Sequence, residues 1–267
     1  MSEADLAFAP RPGLTAWLGA SLLLASISSA LAWSQGVVTL PAHLVTTVPM
    51  LYFVFICIHD GVHGALNRDR RVSDAIAWVM GSITVLPFPL LRQAHLKHHE
   101  RVGREDDPEF VVYGATLPAL LLRLPLVPLY YLREVRHLGT AAALGVVLHF
   151  VAWAALVATF GAPLVVGWLL PVGLAVVWFG FTTVYVPHSA HRKRLMPYFN
   201  FHSGYHDDHH RDPRYPFHQY FRLRLDGLRH HGALPTHRWE ERWLALATWE
   251  PRTPGSSEPG TEIRSGS

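Results

Sequence analysis

Three short motifs gather eight histidines at spacings that suit metal binding. They are HDGVH (His59, His63), HLKHH (His95, His98, His99) and YHDDHH (His206, His209, His210). Neutral imidazole is the commonest side-chain metal ligand. On a helix, residues four apart share a face and stand about 6 Å apart along the axis. His59 and His63 can therefore chelate one ion together. In an HxxHH box the first histidine shares a face with the other two, while the adjacent pair diverges by about 100°. Such a box can serve two neighbouring ions, and it occurs here twice. A zinc site takes about four ligands, so eight imidazoles exceed what one ion needs. His188, at the end of an apolar run, is expected to add another ligand. His191 and His202 are further candidates, His202 because it precedes His206 by four.

Acidic residues flank each box: Asp60, Asp106, Asp107, Glu109, Asp207 and Asp208. A metal-bound histidine commonly donates its other N–H to a carboxylate. These acids are expected behind the histidines rather than on the metal. For Asp106 and Asp107 an alternative is to bend and cap the loop before Pro108. The remaining histidines, His43, His137, His149, His218, His230, His231 and His237, read as surface or packing residues. Because His43 and His149 lie inside apolar runs, pairing or lining a substrate path is the alternative for them. Imidazole suits Zn, Cu, Fe and Ni. Two close redox-active ions suit O₂ activation and attack on an unreactive C–H bond, and iron is the expected metal.

The elements that hold these boxes are membrane helices. Only 16% of the residues are charged and 50% are hydrophobic, against about 25% charged in an ordinary soluble domain. No Lys or Arg occurs in 14–67, 74–91 or 138–191. Four runs, 14–33, 39–58, 140–160 and 163–186, approach the ~20 residues that cross a bilayer. Uncharged turns at 34–38 and 160–163 make them two hairpins. The expected fold is all-α and integral to the membrane, with four spanning helices, interfacial helices and a His-rich cytoplasmic cap over 192–250. Segment 74–91 is apolar, but if it crossed it would put the first two boxes on opposite faces. It is therefore expected to be re-entrant or interfacial. Segment 115–133, broken by three prolines and carrying Arg123, reads as interfacial too.

Basic residues crowd the segments bearing the boxes, which places those segments and both termini in the cytoplasm by the positive-inside rule. Residues 1–13 lack a basic leader, so the first helix is expected to stay as an anchor. Trp78, Trp178, Trp239 and Trp249 read as interfacial anchors or packing. Residues 1–250 are expected to form one domain, followed by a disordered Pro/Gly/Ser-rich tail at 251–267. The lone Cys57 permits no internal disulfide and no CxxC site.

At HDGVHGAL (59–66), FPLLRQAHLKHHERVGREDDPEF (88–110), VPH (186–188) and FHSGYHDDHHRDPRYP (201–216), the chain resembles the membrane fatty acid desaturase superfamily. Within it, the carotene hydroxylases and ketolases look most similar. The resemblance covers roughly 50–220. It implies a non-haem di-iron centre on the box histidines, with His188 matching a further ligand and His202 a histidine of ketolase-like members. It also implies O₂ as co-substrate and a hydrophobic substrate, either a fatty acyl chain or a carotenoid. PHSAH (187–191) and PFHQY (216–220) depart from the carotenoid pattern. No GxGxxG element follows a strand, and no haem or Fe–S motif occurs. Electrons are then expected from a separate ferredoxin-like carrier.

Two other classes compete. A multi-histidine metal transporter would place its ionisable residues near the midplane of the spans. A haem-binding membrane protein needs one or two axial histidines, not three boxes. A nucleic-acid partner is not expected.

Overall fold

The computed structural model describes residues 13–113, 115–186, 209–210, 213–220 and 224. All of these but Arg224 belong to one compact unit, 1–223. The expected domain end at 250 and the tail at 251–267 lie outside the described residues. Within them the chain is helical and contains no strand.

The first hairpin pairs α1 (Leu14–Ser34) with α2 (Leu40–Val62). Thr39 begins α2 by accepting a hydrogen bond from the Ala42 N–H, and Pro41 sits in the first turn, where its missing donor costs nothing. In α1 the buried residues are Thr15, Gly19, Leu23 and Ser26, a single stripe of mostly small side chains. Small residues let membrane helices approach closely. Leu24 and Leu31 point outward. By contrast, α2 is buried almost all round from Leu51 to Val62. It is the central helix of the core, packed by Leu23, Ala77, Met80, Trp168 and Val172. It also runs past the expected end at 58, so the first histidine box is a continuation of the span.

The end of α2 is built to hold that box. The Gly64 N–H bonds the Gly61 carbonyl and the Ala65 N–H bonds the Asp60 carbonyl. Gly64 has φ 75°. This is the Schellman arrangement, which needs a left-handed residue just beyond the cap. It leaves His63 at the cap, one turn after His59.

The segment read as re-entrant is two helices. They are α3 (Arg70–Ile83) and α4 (Phe88–Arg101), bent by 110° at the break between them. Asp69 caps α3 by accepting from the Arg71 N–H. Val85 takes φ 65°, a strained value for a β-branched residue, and Pro87 and Pro89 open α4. The bend returns the chain, so the second box meets the first.

Residues 115–137 form α5 (Leu117–Arg123), α6 (Val127–Leu132) and short 3₁₀ turns, among them Arg133–His137. The long apolar stretch Thr140–Tyr185 comprises α7 (Thr140–Leu164), a π-helical turn (Val165–Leu169), α8 (Leu170–Phe179) and a second π-helical turn (Gly180–Tyr185). A single rod of that length would measure about 69 Å, twice the ~30 Å hydrocarbon core. Gly161 breaks it, with φ 55° and ψ −137°. Trp153 lies before that point and Trp168 after it. Their indole N–H groups bond the adjacent carbonyls of Ser82 and Ile83, at 2.9 and 2.8 Å. The chain therefore reverses near Gly161, as the uncharged turn at 160–163 predicts. Among the described residues, three helical stretches are long and apolar enough to cross a membrane, and the reversal divides the longest in two. Its lipid-facing surface includes Leu144, Val147, Leu148, Val151 and Leu156. In water such a face would be an aggregation patch; in a bilayer it is the solvated surface.

His43 is a satisfied core residue, as one of its two readings anticipated. Its ring bonds the Gly167 carbonyl at 2.9 Å, with Ser29 and Thr47 hydroxyls on the other nitrogen. This ties the two hairpins together within the apolar layer. Trp78 is exposed, whereas Trp178 stacks on Tyr52 with centroids 4.6 Å apart. Trp239 and Trp249 lie outside the described residues.

Candidate metal centre

Five box histidines converge at one end of the core. The ligand atoms of His59, His63, His95, His99 and His209 all lie within 4.8 Å of one another. Four Nε2 atoms make a chain of close approaches: His63 to His95 at 3.1 Å, His95 to His99 at 3.0 Å, and His99 to His209 at 3.2 Å. His59 packs its ring edge-on to His95, centroids 4.4 Å apart. Two nitrogens bound to one ion at about 2.1 Å are at most about 4.2 Å apart. The spread of this group is slightly more than one ion spans. The donor set therefore fits bound metal.

The divergence expected within HLKHH is present. His99 joins the five-histidine group, while His98 turns toward His210, centroids 5.1 Å apart. His210 also lies 4.2 Å from His99. His98 is fully buried, and its Nδ1 faces the Asp107 carboxylate at 3.0 Å and Glu109 at 3.5 Å. That fixes Nε2 as the nitrogen His98 would offer a metal. Burial alone would depress the His98 pKa, but Glu109 and Asp107 outweigh it and raise it. His95 is held well below its usual range by burial and by the neighbouring imidazoles. It stays neutral, the form a ligand needs.

Asp107 acts on both the loop and the box. Its carboxylate accepts from the Glu109 N–H at 2.8 Å, the Gly103 N–H at 3.3 Å and the Tyr113 hydroxyl at 2.9 Å. Asp107 therefore braces the loop and faces His98 at the same time. Glu109 stands 3.8 Å from His95 Nδ1 and accepts from the Tyr131 hydroxyl at 2.6 Å. Burial and Glu109 push the Tyr131 phenol up, so it remains a donor. Asp60 is buried, but its carboxylate accepts from the Phe217 N–H at 2.9 Å and is 4.0 Å from His59 Nδ1. It clips the segment after the third box onto the first. Asp106 is exposed and faces Arg101 at 3.7 Å, away from the histidines. His188, His191, His202, His206, Asp207 and Asp208 lie outside the described residues.

Three tyrosines and a lysine–glutamate pair escaped the sequence reading. Tyr113 and Tyr131 hold the carboxylates, and the Tyr220 hydroxyl lies 3.1 Å from His209 Nδ1. Lys97 bonds the buried Glu134 at 2.8 Å, beside the second box. Lone tyrosines scattered over more than a hundred residues carry no spacing signal.

A pocket opens beside the cluster. His59, His95 and Glu109 line it together with Phe55, Leu91, Leu124, Val127, Val176 and Phe179.

Fold and site together define a helical membrane protein with a largely buried multi-histidine cluster beside an apolar pocket. A family model described as Fatty acid desaturase matches residues 32–245, most of the chain, and the protein belongs to that family. Its members are O₂-dependent non-haem di-iron desaturases and hydroxylases, so this is a membrane oxidoreductase acting on lipid. No curated protein and no solved structure matches the chain.

Proposed function

We propose that this protein is a di-iron oxidase that desaturates, hydroxylates or otherwise oxidises a fatty acyl chain or a carotenoid. The carrying observation is the convergence of His63, His95, His99 and His209 through Nε2 at one end of an apolar pocket. Two irons would be held by His59, His63, His95, His98, His99, His188, His206, His209 and His210, with His202 and His191 as further candidates. Bound iron would supply O₂ activation and C–H cleavage.

The chain's own residues do the rest. Phe55, Leu91, Leu124, Val127, Val176 and Phe179 hold a hydrocarbon segment against the histidine end and keep water from it. Asp107 and Glu109, fixed by Tyr113 and Tyr131, orient the imidazoles. Electrons come from a separate ferredoxin-like carrier. Exposed Arg104, Arg133 and Arg136, around the second box, suit an acidic partner.

Purified protein is expected to carry about two irons per chain, since its imidazoles exceed one ion's capacity. Metal analysis alongside product formation tests this. An active enzyme with stoichiometric zinc and no iron would refute it.

We also place the boxes and both termini in the cytoplasm. The support is the absence of Lys and Arg from 14–67 and 138–191. Cys57 is buried and so contributes little background to a labelling experiment. A cysteine at exposed Arg71 should be labelled only from the cytoplasm, and one at exposed Val37 only from the opposite face. The reverse pattern overturns the orientation.

A further inference from the structure

The last turn before the histidine end of the pocket, Gly180–Tyr185, is π-helical. π-helical insertions occur frequently at functional sites. Two adjacent threonines in this turn behave differently. Thr182 is satisfied twice over: its hydroxyl donates to the Trp178 carbonyl at 3.0 Å and meets the Tyr52 hydroxyl at 3.1 Å. Thr183 lines the pocket with His59 and His95. It is 3% exposed, and its hydroxyl has no hydrogen-bond partner among the described residues.

That is unusual on physical grounds. A threonine inside a helix generally bonds back to a carbonyl one turn earlier, as Thr46, Thr84 and Thr159 do here. A buried hydroxyl left unmatched costs free energy, so native structures seldom keep one without a reason. Valine would fill the same volume among Leu124, Val176 and Val184 without that cost. The polar group is therefore held for something that enters the pocket.

We infer that Thr183 is a specificity residue whose hydroxyl bonds an oxygen atom of the lipid near the carbon being oxidised. This rests on the reading of the pocket as the substrate site and deepens it. The lipid bound there carries, or gains, a hydroxyl or carbonyl, rather than being a bare hydrocarbon at the reacting position. A pure hydrocarbon would leave the hydroxyl unmatched in the complex as well. An oxygenated chain matches it, and the site discriminates by that difference.

The experiment compares Thr183→Val and Thr183→Ser with the wild type as purified, iron-analysed proteins in detergent. Binding of dodecan-1-ol and dodecane, at matched mole fraction in the micelles, is read from the shift in melting temperature. Wild type and Thr183→Ser should prefer the alcohol. Thr183→Val should lose about fivefold of that preference, the usual effect of one hydrogen bond. Without ligand, it should keep wild-type iron content and an equal or higher melting temperature. Equal affinity for the two probes in the wild type would overturn the inference, and so would a preference that survives Thr183→Val. Lower stability or lost iron in unliganded Thr183→Val would assign the hydroxyl a structural role and also overturn it. If the wild type binds the alcohol through Thr183 but carries no iron, the di-iron reading fails while this inference stands.

Discussion

Replacing His99 with alanine is expected to abolish product formation and to strip iron from the protein. His99 is the link between the second and third boxes. Its Nε2 lies 3.0 Å from that of His95 and 3.2 Å from that of His209, and its ring packs 4.2 Å from His210. The neighbouring His98 also reaches the third box, its ring 5.1 Å from that of His210, but its Nδ1 is held by Asp107 and Glu109. Loss of a group that merely orients a ligand costs ~10–100-fold in metal affinity or activity. Loss of the ligand itself should exceed that range. His137 provides the control. It is exposed, bonded to Arg136 and 3.9 Å from Glu134, and outside the cluster. His137→Ala should retain iron and turnover. Both variants are compared in membranes at matched protein level, with iron measured after purification. Near-normal turnover in His99→Ala would show that the convergence of nitrogens is not the metal site.

Asp107→Asn should weaken metal binding by about 10–100-fold without removing any imidazole. The native carboxylate accepts from His98, Tyr113 and the N–H groups of Gly103 and Glu109. All four are donors. An asparagine keeps one accepting oxygen and turns an NH₂ group toward donors, of which the backbone N–H groups of Gly103 and Glu109 cannot accept. Each buried donor left unmatched costs about 1–3 kcal/mol. The loop from Gly103 to Tyr113 should loosen, and Glu109 should shift with it, since its N–H is one of the four. Iron titration should show the weaker binding, and thermal melting of the iron-free protein should show a lower midpoint. If Asp107→Asn melts lower but binds iron as the wild type does, Asp107 serves the loop alone. A variant unchanged in both would leave no role for the carboxylate in the site.

The contrast between Asp107 and Asp106 shows where sequence reasoning stops. The two are adjacent, identical in type and equally close to the second box in the chain. One is buried under four hydrogen bonds, and the other is exposed beside Arg101. Spacing cannot separate them, because the turn before Pro108 sends successive side chains in different directions. Asp60 makes the same point. It neighbours His59 in sequence, yet its carboxylate reaches the Phe217 N–H, a contact with a segment 157 residues away. Proximity along the chain predicts the region in which a carboxylate acts, not the partner it takes.

The membrane helices and the histidine boxes were legible for a local reason. A bilayer demands about twenty apolar residues with satisfied backbone groups, and only a helix meets that within one segment. Chelating spacing is likewise set by the helical repeat, so HxxxH and HxxHH carry their geometry with them. That is why spans near 14–33 and 39–58, and the divergence of His98 from His99, could be read from the chain. The reversal near Gly161 was legible for the same reason, as an uncharged turn between two long apolar runs. Tertiary structure alone decided how the boxes meet. The 110° bend between α3 and α4 returns HLKHH to the end of α2. The tyrosines that fix the carboxylates come from elements with no motif of their own. The unmatched hydroxyl of Thr183 is visible only against its satisfied neighbour and the cavity it lines. These features depend on which distant surfaces pack together. Packing is a sum over the whole fold, and a single stretch of sequence does not contain it.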